Sequence, residues 1–103
     1  MLEKVIKSLE KAVVDDIKVY DMKEKTPFYD YTIICSVNTS RQGAACVNYL
    51  RDDAEKLGLW VRGYSSNPES AWFLVDLNEI VVHIFVGEER ARYNLDGMYN
   101  HFI

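Results

Sequence analysis

Apolar positions in the first part of the chain change from helical to strand spacing. Between residues 2 and 14 they recur every three or four positions, as expected for an amphipathic helix with Glu and Lys on its exposed side. Two apolar segments follow, Ile17 to Met22 and Asp30 to Val37, and both have the length and composition of strands. The second is apolar enough to lie inside a sheet. The segment between them, Lys23 to Tyr29, contains Pro27 and is predicted to be a loop.

A capping box predicts the start of a second helix. Thr39 and Gln42 have the spacing at which two side chains satisfy the free N–H groups of a first helical turn. Gly58 is suited to end this helix. Beyond it, Leu59 to Tyr64 is predicted to be a strand, and a terminal helix is predicted from Glu88 onward, with its continuity weakened by Gly97.

The clearest alternation lies between residues 71 and 86, where a hairpin with Asn78-Glu79 as its two-residue turn is predicted. Asn can adopt the positive φ that such a turn requires at its first position. The predicted cross-strand pairs are Trp72–Phe85, Leu74–His83 and Asp76–Val81. One face is entirely apolar and is predicted to be core: Ala71, Phe73, Val75, Leu77, Ile80, Val82, Ile84 and Val86. The other face is mixed: Trp72, Leu74, Asp76, Val81, His83 and Phe85.

The element order αββαβββα predicts an α+β fold with a mixed five-stranded sheet and packed helices. A chain of 103 residues is expected to form a single domain over residues 1–103. No apolar segment approaches the roughly 20 residues of a membrane span, and the N-terminus lacks the apolar stretch of a signal peptide. We therefore expect a soluble cytoplasmic protein that does not bind membranes.

The net charge of −4 is confined to the last part of the chain. Residues 1–63 contain 10 acidic and 10 basic residues, whereas residues 64–103 contain 6 acidic and 2 basic ones. A binder of the phosphate backbone needs a cluster of Lys and Arg, so the acidic end argues against direct DNA or RNA binding. A basic protein is the better electrostatic partner.

The two cysteines, Cys35 and Cys46, lie in a predicted strand and a predicted helix without Cys-x-x-Cys spacing. We interpret both as reduced core residues. The alternative, a reactive thiol, would need a nearby His or a helix N-terminus to lower its pKa.

Asp76 and His83 lie diagonally on the mixed face of the predicted hairpin, near enough for a direct or water-bridged hydrogen bond. An acid beside a histidine is compatible with a catalytic site. Such a site needs a nucleophile within hydrogen-bond reach, however, and the sequence does not place Cys35 or Ser36 there. A polar pair oriented for binding, or buried with its hydrogen bonds satisfied, is the better interpretation.

Metal and cofactor sites are not predicted. His83, His101 and Asp76 show no short metal-binding motif, and the five glycines are isolated rather than gathered in a phosphate-binding loop. Trp72 and Phe85 allow two interpretations. They could be core beneath a helix or anchors of a protein interface.

Several blocks of the sequence have the order and approximate spacing of one known family. They are Asp16-Ile17, Asp21, Asp30-Tyr31-Thr32-Ile33-Ile34, Thr39-Ser40-Arg41-Gln42, Gly63, Trp72-Phe73-Leu74-Val75-Asp76, Val81-Val82-His83-Ile84-Phe85, Arg90 and Tyr93-Asn94-Leu95-Asp96. By these blocks, which cover nearly the whole chain, the protein resembles the ribosomal silencing factor family, RsfS, also called Iojap-like proteins. One departure is Tyr99, which stands where the family commonly has Trp, so the C-terminal packing is expected to differ.

The resemblance implies a nucleotidyltransferase-like fold without its chemistry. The sequence agrees, because it has neither a Gly-Ser phosphate-binding turn nor paired acids on one strand to hold Mg²⁺. The resemblance further implies binding to the large ribosomal subunit through ribosomal protein fourteen, which blocks subunit joining and represses translation when nutrients are short. It also implies a homodimer.

We therefore expect a regulator rather than an enzyme. Its partner-binding residues are predicted to be Trp72, Asp76, His83, Phe85, Arg90 and Tyr93. Two alternatives stay open at this point: a nucleotidyltransferase-like enzyme that uses Asp76 and His83, and a dimeric interaction module with a non-ribosomal partner.

Overall fold

Five strands form one mixed sheet in the order β1-β2-β5-β4-β3. The computed structural model describes residues 2–100, and its elements in chain order are α1 (Leu2–Lys11), β1 (Asp15–Asp21), β2 (Tyr31–Val37), α2 (Ser40–Lys56), β3 (Gly63–Tyr64), β4 (Trp72–Asp76), β5 (Ile80–Val86), α3 (Glu89–Tyr93) and α4 (Leu95–Asn100). Strands β2 and β5 are parallel, and the other neighbours are antiparallel. The predicted α+β class and mixed five-stranded sheet are confirmed.

The main core lies between one face of the sheet and helices α1 and α2. Val5 and Leu9 of α1 and Leu50 of α2 are at most 3% exposed and pack on the apolar strand residues. Those strand residues are Ile33, Cys35, Val37, Phe73, Val75, Val82 and Ile84. The apolar face predicted for the hairpin is therefore largely core, although Ala71 at its end is exposed.

A second, smaller core lies on the opposite face of the sheet, beneath the C-terminal helices. It consists of Tyr20, Met22, Ile34, Phe85 and Tyr99. The rings of Tyr99 and Tyr20 are stacked with centroids 5.5 Å apart, and Tyr99 is only 7% exposed. Tyr99 therefore packs inside the protein.

Helix α1 is shorter than predicted because Val13 has a φ of +58°. The N–H groups of Val13 and Val14 bond back to the carbonyl groups of Glu10 and Leu9, which closes the helix as a Schellman motif. A β-branched residue such as Val13 rarely adopts a positive φ. The apolar spacing therefore did not indicate that the helix ends before Val13. Strand β1 starts earlier than predicted, at Asp15, with a bulge in which Asp16 has a φ of +50°.

Helix α2 confirms both predicted ends. The hydroxyl of Thr39 accepts a hydrogen bond from the Gln42 N–H, and the Gln42 side chain accepts one from the Asn38 N–H. At the other end Gly58 has a φ of +70°, and the N–H of Leu59 bonds to the Ala54 carbonyl as a second Schellman motif.

Strand β3 is much shorter than the predicted Leu59 to Tyr64, because only Gly63–Tyr64 pair with β4. The last bond of this ladder runs from the Arg62 N–H to the Asp76 carbonyl. Residues 59–61 extend past the end of β4 and pair with no strand among the described residues. Leu59 and Val61 pack against the main core instead.

The predicted terminal helix is divided into α3 and α4 at Asn94, which has φ and ψ of 52° and 44°. The Asn94 side chain accepts a hydrogen bond from the Gly97 N–H. A Cβ at Gly97 would lie within 2.8 Å of three Asn94 side-chain atoms, so Gly97 makes room for this turn rather than breaking the helix itself. Phe102, which falls in the predicted terminal helix, lies outside the described residues. In the described part of the chain, no helix is long and apolar enough to cross a membrane.

Candidate functional site

The predicted hairpin forms in the predicted register. Trp72 pairs with Phe85, Leu74 with His83, and Asp76 with Val81. Asn78 has a φ of +71° at the turn. We call the mixed side of the hairpin, made of Trp72, Leu74, Asp76, Val81, His83 and Phe85, the hairpin face. It lies on the side of the sheet opposite α1 and α2, and all of its residues except Phe85 are half-buried.

Trp72 lies at the centre of an aromatic cluster that is partly open to solvent. Its ring centroid is 4.8 Å from that of Tyr93, 5.0 Å from that of Phe85 and 5.8 Å from that of His83. Tyr93, from α3, is 48% exposed. The predicted residues Trp72, His83, Phe85 and Tyr93 are therefore brought together, with Tyr93 at the solvent side.

Phe85 is completely buried, with 0% of its surface exposed. Of the two interpretations of the aromatic pair, core applies to Phe85, whereas Trp72 is half-buried and keeps a surface for contact. In this structure Phe85 acts on the hairpin face by supporting the rings of Trp72 and Tyr93 from below.

The expected hydrogen bond between Asp76 and His83 is absent from the described residues. The Trp72 indole N–H donates instead to Nδ1 of His83 over 3.1 Å, and Asp76 accepts a hydrogen bond of 2.9 Å from the Asn78 N–H. Asp76 therefore supports the hairpin turn. The bond to Trp72 assigns the His83 proton to Nε2 when the ring is neutral.

Burial lowers the pKa of His83 from 6.5 to about 4. The imidazole is consequently neutral near pH 7 and is a weak base. A neutral ring whose Nδ1 lone pair is already occupied has little capacity for general base chemistry at that nitrogen. The geometry therefore favours a binding surface over an Asp/His catalytic pair.

Arg90 lies beside the hairpin face but is largely buried, with 12% of its side chain exposed. Its guanidinium donates to both carboxylate oxygens of Asp96, at 2.9 and 3.2 Å. It also donates to the Asp16 carbonyl at 2.6 Å and to the Ser36 hydroxyl at 3.0 Å. We call Arg90, Asp96, Asp16, Ser36 and Tyr20 the Arg90 cluster.

The Arg90 cluster fastens the C-terminal helices to β1 and β2. The Tyr20 hydroxyl donates to Asp96 over 2.6 Å. Burial, followed by this bond to Asp96, raises the pKa of Tyr20 to about 12. Burial alone would raise the pKa of Asp96, but the hydrogen bonds from Arg90 and Tyr20 lower it overall. Arg90 therefore holds α3, and with it Tyr93, in position.

The partners of Arg90 were missed by sequence reasoning. Asp16 and Ser36 lie 74 and 54 residues before it, so no local spacing connects them. Of these partners, only Asp96 lies near Arg90 in the sequence, six residues after it. It is in the same block of family resemblance as Tyr93.

The two cysteines are free and completely buried, as predicted. Burial raises the pKa of Cys46 to about 12 and that of Cys35 still further. Neither thiol is therefore activated as a nucleophile. Among the described residues, no group of His, Cys, Asp and Glu side chains could hold a metal ion, and His101 lies outside them.

Comparisons with known proteins agree with these features. Residues 1–102 match the family model described as ribosomal silencing factor during starvation, RsfS. The ribosomal silencing factor RsfS of Bacillus subtilis is 35% identical over 85 residues, which cover 82% of this chain and 72% of that protein.

Two solved structures have the same fold. A Chromobacterium violaceum protein, CV0518, has a TM-score of 0.89 at 23% identity, over 95% of this chain and 82% of that one. A Bacillus halodurans protein has a TM-score of 0.84 at 27% identity, over 94% of this chain and 90% of that one.

Proposed function

The chain belongs to the ribosomal silencing factor family, and we propose that it binds the large ribosomal subunit through ribosomal protein fourteen. Bound there, it occupies space that the small subunit needs and so represses translation under nutrient limitation. The mechanism is steric and needs no cofactor and no chemical step.

One observation carries this proposal: Trp72 of the hairpin face and Tyr93 of α3 form a partly open aromatic surface on the sheet. Trp72 and Tyr93 present ring surface, and Phe85 supports them from the second core. Aromatic anchors held by packed neighbours are typical of the energetic centre of protein interfaces. The opposite face of the sheet is covered by α1 and α2 and offers no comparable strand surface.

Charge supports a basic partner. Asp76 lies on the hairpin face, and residues 64–103 carry 6 acidic against 2 basic residues. Arg90, one of the two basic residues, is already paired with Asp96. We expect binding to weaken at high salt, because screening reduces the attraction between exposed charges.

The proposal is tested by cosedimentation of the protein with purified large subunits. A Trp72→Ala, Asp76→Lys double variant removes the aromatic anchor and reverses the charge at the turn end of the same face. Loss of a hot-spot side chain alone corresponds to about thirtyfold weaker binding. The matched control, Trp60→Ala, Asp52→Lys, makes the same changes at exposed positions away from the hairpin face and should bind like wild type.

Folding and function must be separated in this experiment, because Trp72 also packs on Phe85. Tyr93→Lys changes an exposed ring and is expected to leave the fold intact while weakening cosedimentation. Circular dichroism and thermal melting check all variants. Wild-type cosedimentation by both the Trp72→Ala, Asp76→Lys variant and the Tyr93→Lys variant would refute the site.

A subunit-joining assay tests the mechanism separately. Wild-type protein should prevent purified small and large subunits from associating, and the double variant should not. The enzyme alternative instead predicts nucleotidyl transfer that depends on Asp76 and His83.

A further inference from the structure

A second concave surface lies between α1 and α2, on the side of the sheet opposite the hairpin face. Its volume is about 340 Å³, near the lower end of the range for small-molecule sites. It is lined by Lys4, Lys7, Lys11, Lys56, Ser8, Asp53 and Leu57. We call it the lysine cleft.

Helical spacing explains why three of the lysines line the same cleft. Lys4, Lys7 and Lys11 are three and four residues apart, so their side chains lie on one side of α1. That side adjoins Ser8, which is buried against α2. Lys56 comes from the last turn of α2 and completes the cleft. The two acidic residues of α1, Glu3 and Glu10, do not line it.

The cleft has an excess of positive charge that the protein does not neutralise. Asp53 is its only acidic lining residue, and it is already occupied by Lys11 at 3.1 Å and by the Ser8 hydroxyl. The hydrogen bond from Ser8 lowers the pKa of Asp53, against the opposing effect of burial, and the charges of Lys11 and Lys56 lower it further. Asp53 is therefore an ionised carboxylate that neutralises the charge of one lysine, Lys11.

Three ammonium groups remain without a carboxylate partner. In the part of the chain that the structure describes, Lys4, Lys7 and Lys56 form no ion pair. A concave surface lined mainly by one sign of charge concentrates its field, and lysines are common ligands of phosphate groups. This surplus occurs in a protein whose net charge is −4.

We propose that the lysine cleft binds a di- or triphosphate group, either free or as the tail of a nucleotide. Such a group carries several negative charges within a span that one cleft can hold. The uncompensated positive charge of the cleft, four lysines against one aspartate, is of the same order. A long nucleic acid is the poorer match, because the lysines line one cleft, on a helix that also carries Glu3 and Glu10, instead of forming an extended stripe.

This site is independent of the proposed ribosomal function. The sheet separates the lysine cleft from the hairpin face, so binding can be measured on the isolated protein. Variants of the cleft should still cosediment with large subunits.

Isothermal titration calorimetry at low salt tests the proposal, with tripolyphosphate, ATP and inorganic phosphate as separate probes. We expect one saturable site for tripolyphosphate and weaker binding of inorganic phosphate. Equal affinities for tripolyphosphate and ATP would identify the phosphate chain as the ligand. Tighter binding of ATP would show that the nucleoside contributes.

A Lys7→Gln, Lys56→Gln variant should bind tripolyphosphate about tenfold more weakly, from a loss of about threefold for each exposed charge. Lys18→Gln, Lys25→Gln removes the same charge at exposed positions outside the cleft and should stay within about twofold of wild type. The absence of saturable binding, or equal losses in both variants, would overturn the proposal. The proposal would also be overturned if tripolyphosphate did not bind and an RNA oligonucleotide bound in a way that required the cleft lysines.

Discussion

The acid sensitivity of folding should depend on one histidine of the hairpin face. Burial lowers the pKa of His83 from 6.5 to about 4, so the folded state binds the proton less tightly than the unfolded state. Protonation also removes the Nδ1 lone pair that accepts the Trp72 indole N–H over 3.1 Å. Acidification should therefore destabilise the hairpin face together with the fold.

The sign and size of the effect follow from this pKa shift. Above its ordinary pKa of 6.5, His83 is neutral in both states and does not oppose folding. As the pH falls from 6.5 towards 4, only the unfolded state gains the proton, and stability is lost. The loss reaches about 2 kcal/mol at about pH 5 and about 3 kcal/mol once the folded state is also protonated.

The assay compares wild type with His83→Gln, which removes the titrating group but keeps a side chain able to accept a hydrogen bond from Trp72. Urea denaturation gives the free energy of unfolding at about pH 8 and about pH 5. Every other titratable group is common to both proteins, so the difference between their pH dependences isolates His83. We expect wild type to lose about 2 kcal/mol more than the variant. Equal losses would refute the reasoning.

Three further substitutions test the end of α1, the packing of the main core and the Arg90 cluster by urea denaturation. Val13→Gly should raise the free energy of unfolding by about 1 kcal/mol, because it relieves a β-branched residue at a φ of +58°. Gly43→Ala should lower it by about 1 to 3 kcal/mol, because a Cβ there would lie 2.4 Å from the buried Phe73 ring. Arg90→Gln should lower it by about 2 kcal/mol, because Asp96 loses its charged partner.

Each of these changes has a matched control. Gly58→Ala alters the same motif at the end of α2, where φ is +70°, and should destabilise, opposite in sign to Val13→Gly. Gly63→Ala should be nearly neutral, because among the described residues no atom beyond its two chain neighbours lies within 4 Å of the added Cβ. Arg92→Gln should cost less than about 0.5 kcal/mol, because that side chain is 73% exposed. If a control variant changed the free energy of unfolding in the same direction and by the same amount as its test variant, the corresponding explanation would be contradicted.

Short-range patterns accounted for much of the fold. The hairpin register followed from strict alternation together with an Asn able to adopt positive φ, and both signals lie within 16 residues of chain. The ends of α2 were equally local, since Thr39 and Gly58 satisfy backbone groups within one turn. Such features need no knowledge of the rest of the molecule.

Features that depend on distant packing were not predictable. Residues 59–61 have strand-like composition, but whether they pair depends on where β4 ends. The partners of Arg90 come from β1 and β2, and the lysine cleft exists only because α1 and α2 lie side by side. At His83, alternation predicted the face correctly, but the choice of Trp72 as hydrogen-bond partner depended on side-chain geometry.

The openness of the hairpin face is decided outside the hairpin, by the turn at Asn94. This turn ends α3 while Tyr93 still lies over Trp72, and it lets α4 carry Tyr99 back to Tyr20 on β1. The C-terminal helices therefore cover the β1 and β2 side of this sheet face and leave Leu74 half-buried on the β4 side. An uninterrupted helix would keep the direction of α3 and would not make this return. The extent of the open part of the hairpin face is thus set by the left-handed conformation of Asn94, which Asn adopts at little cost, with Gly97 making room for its side chain.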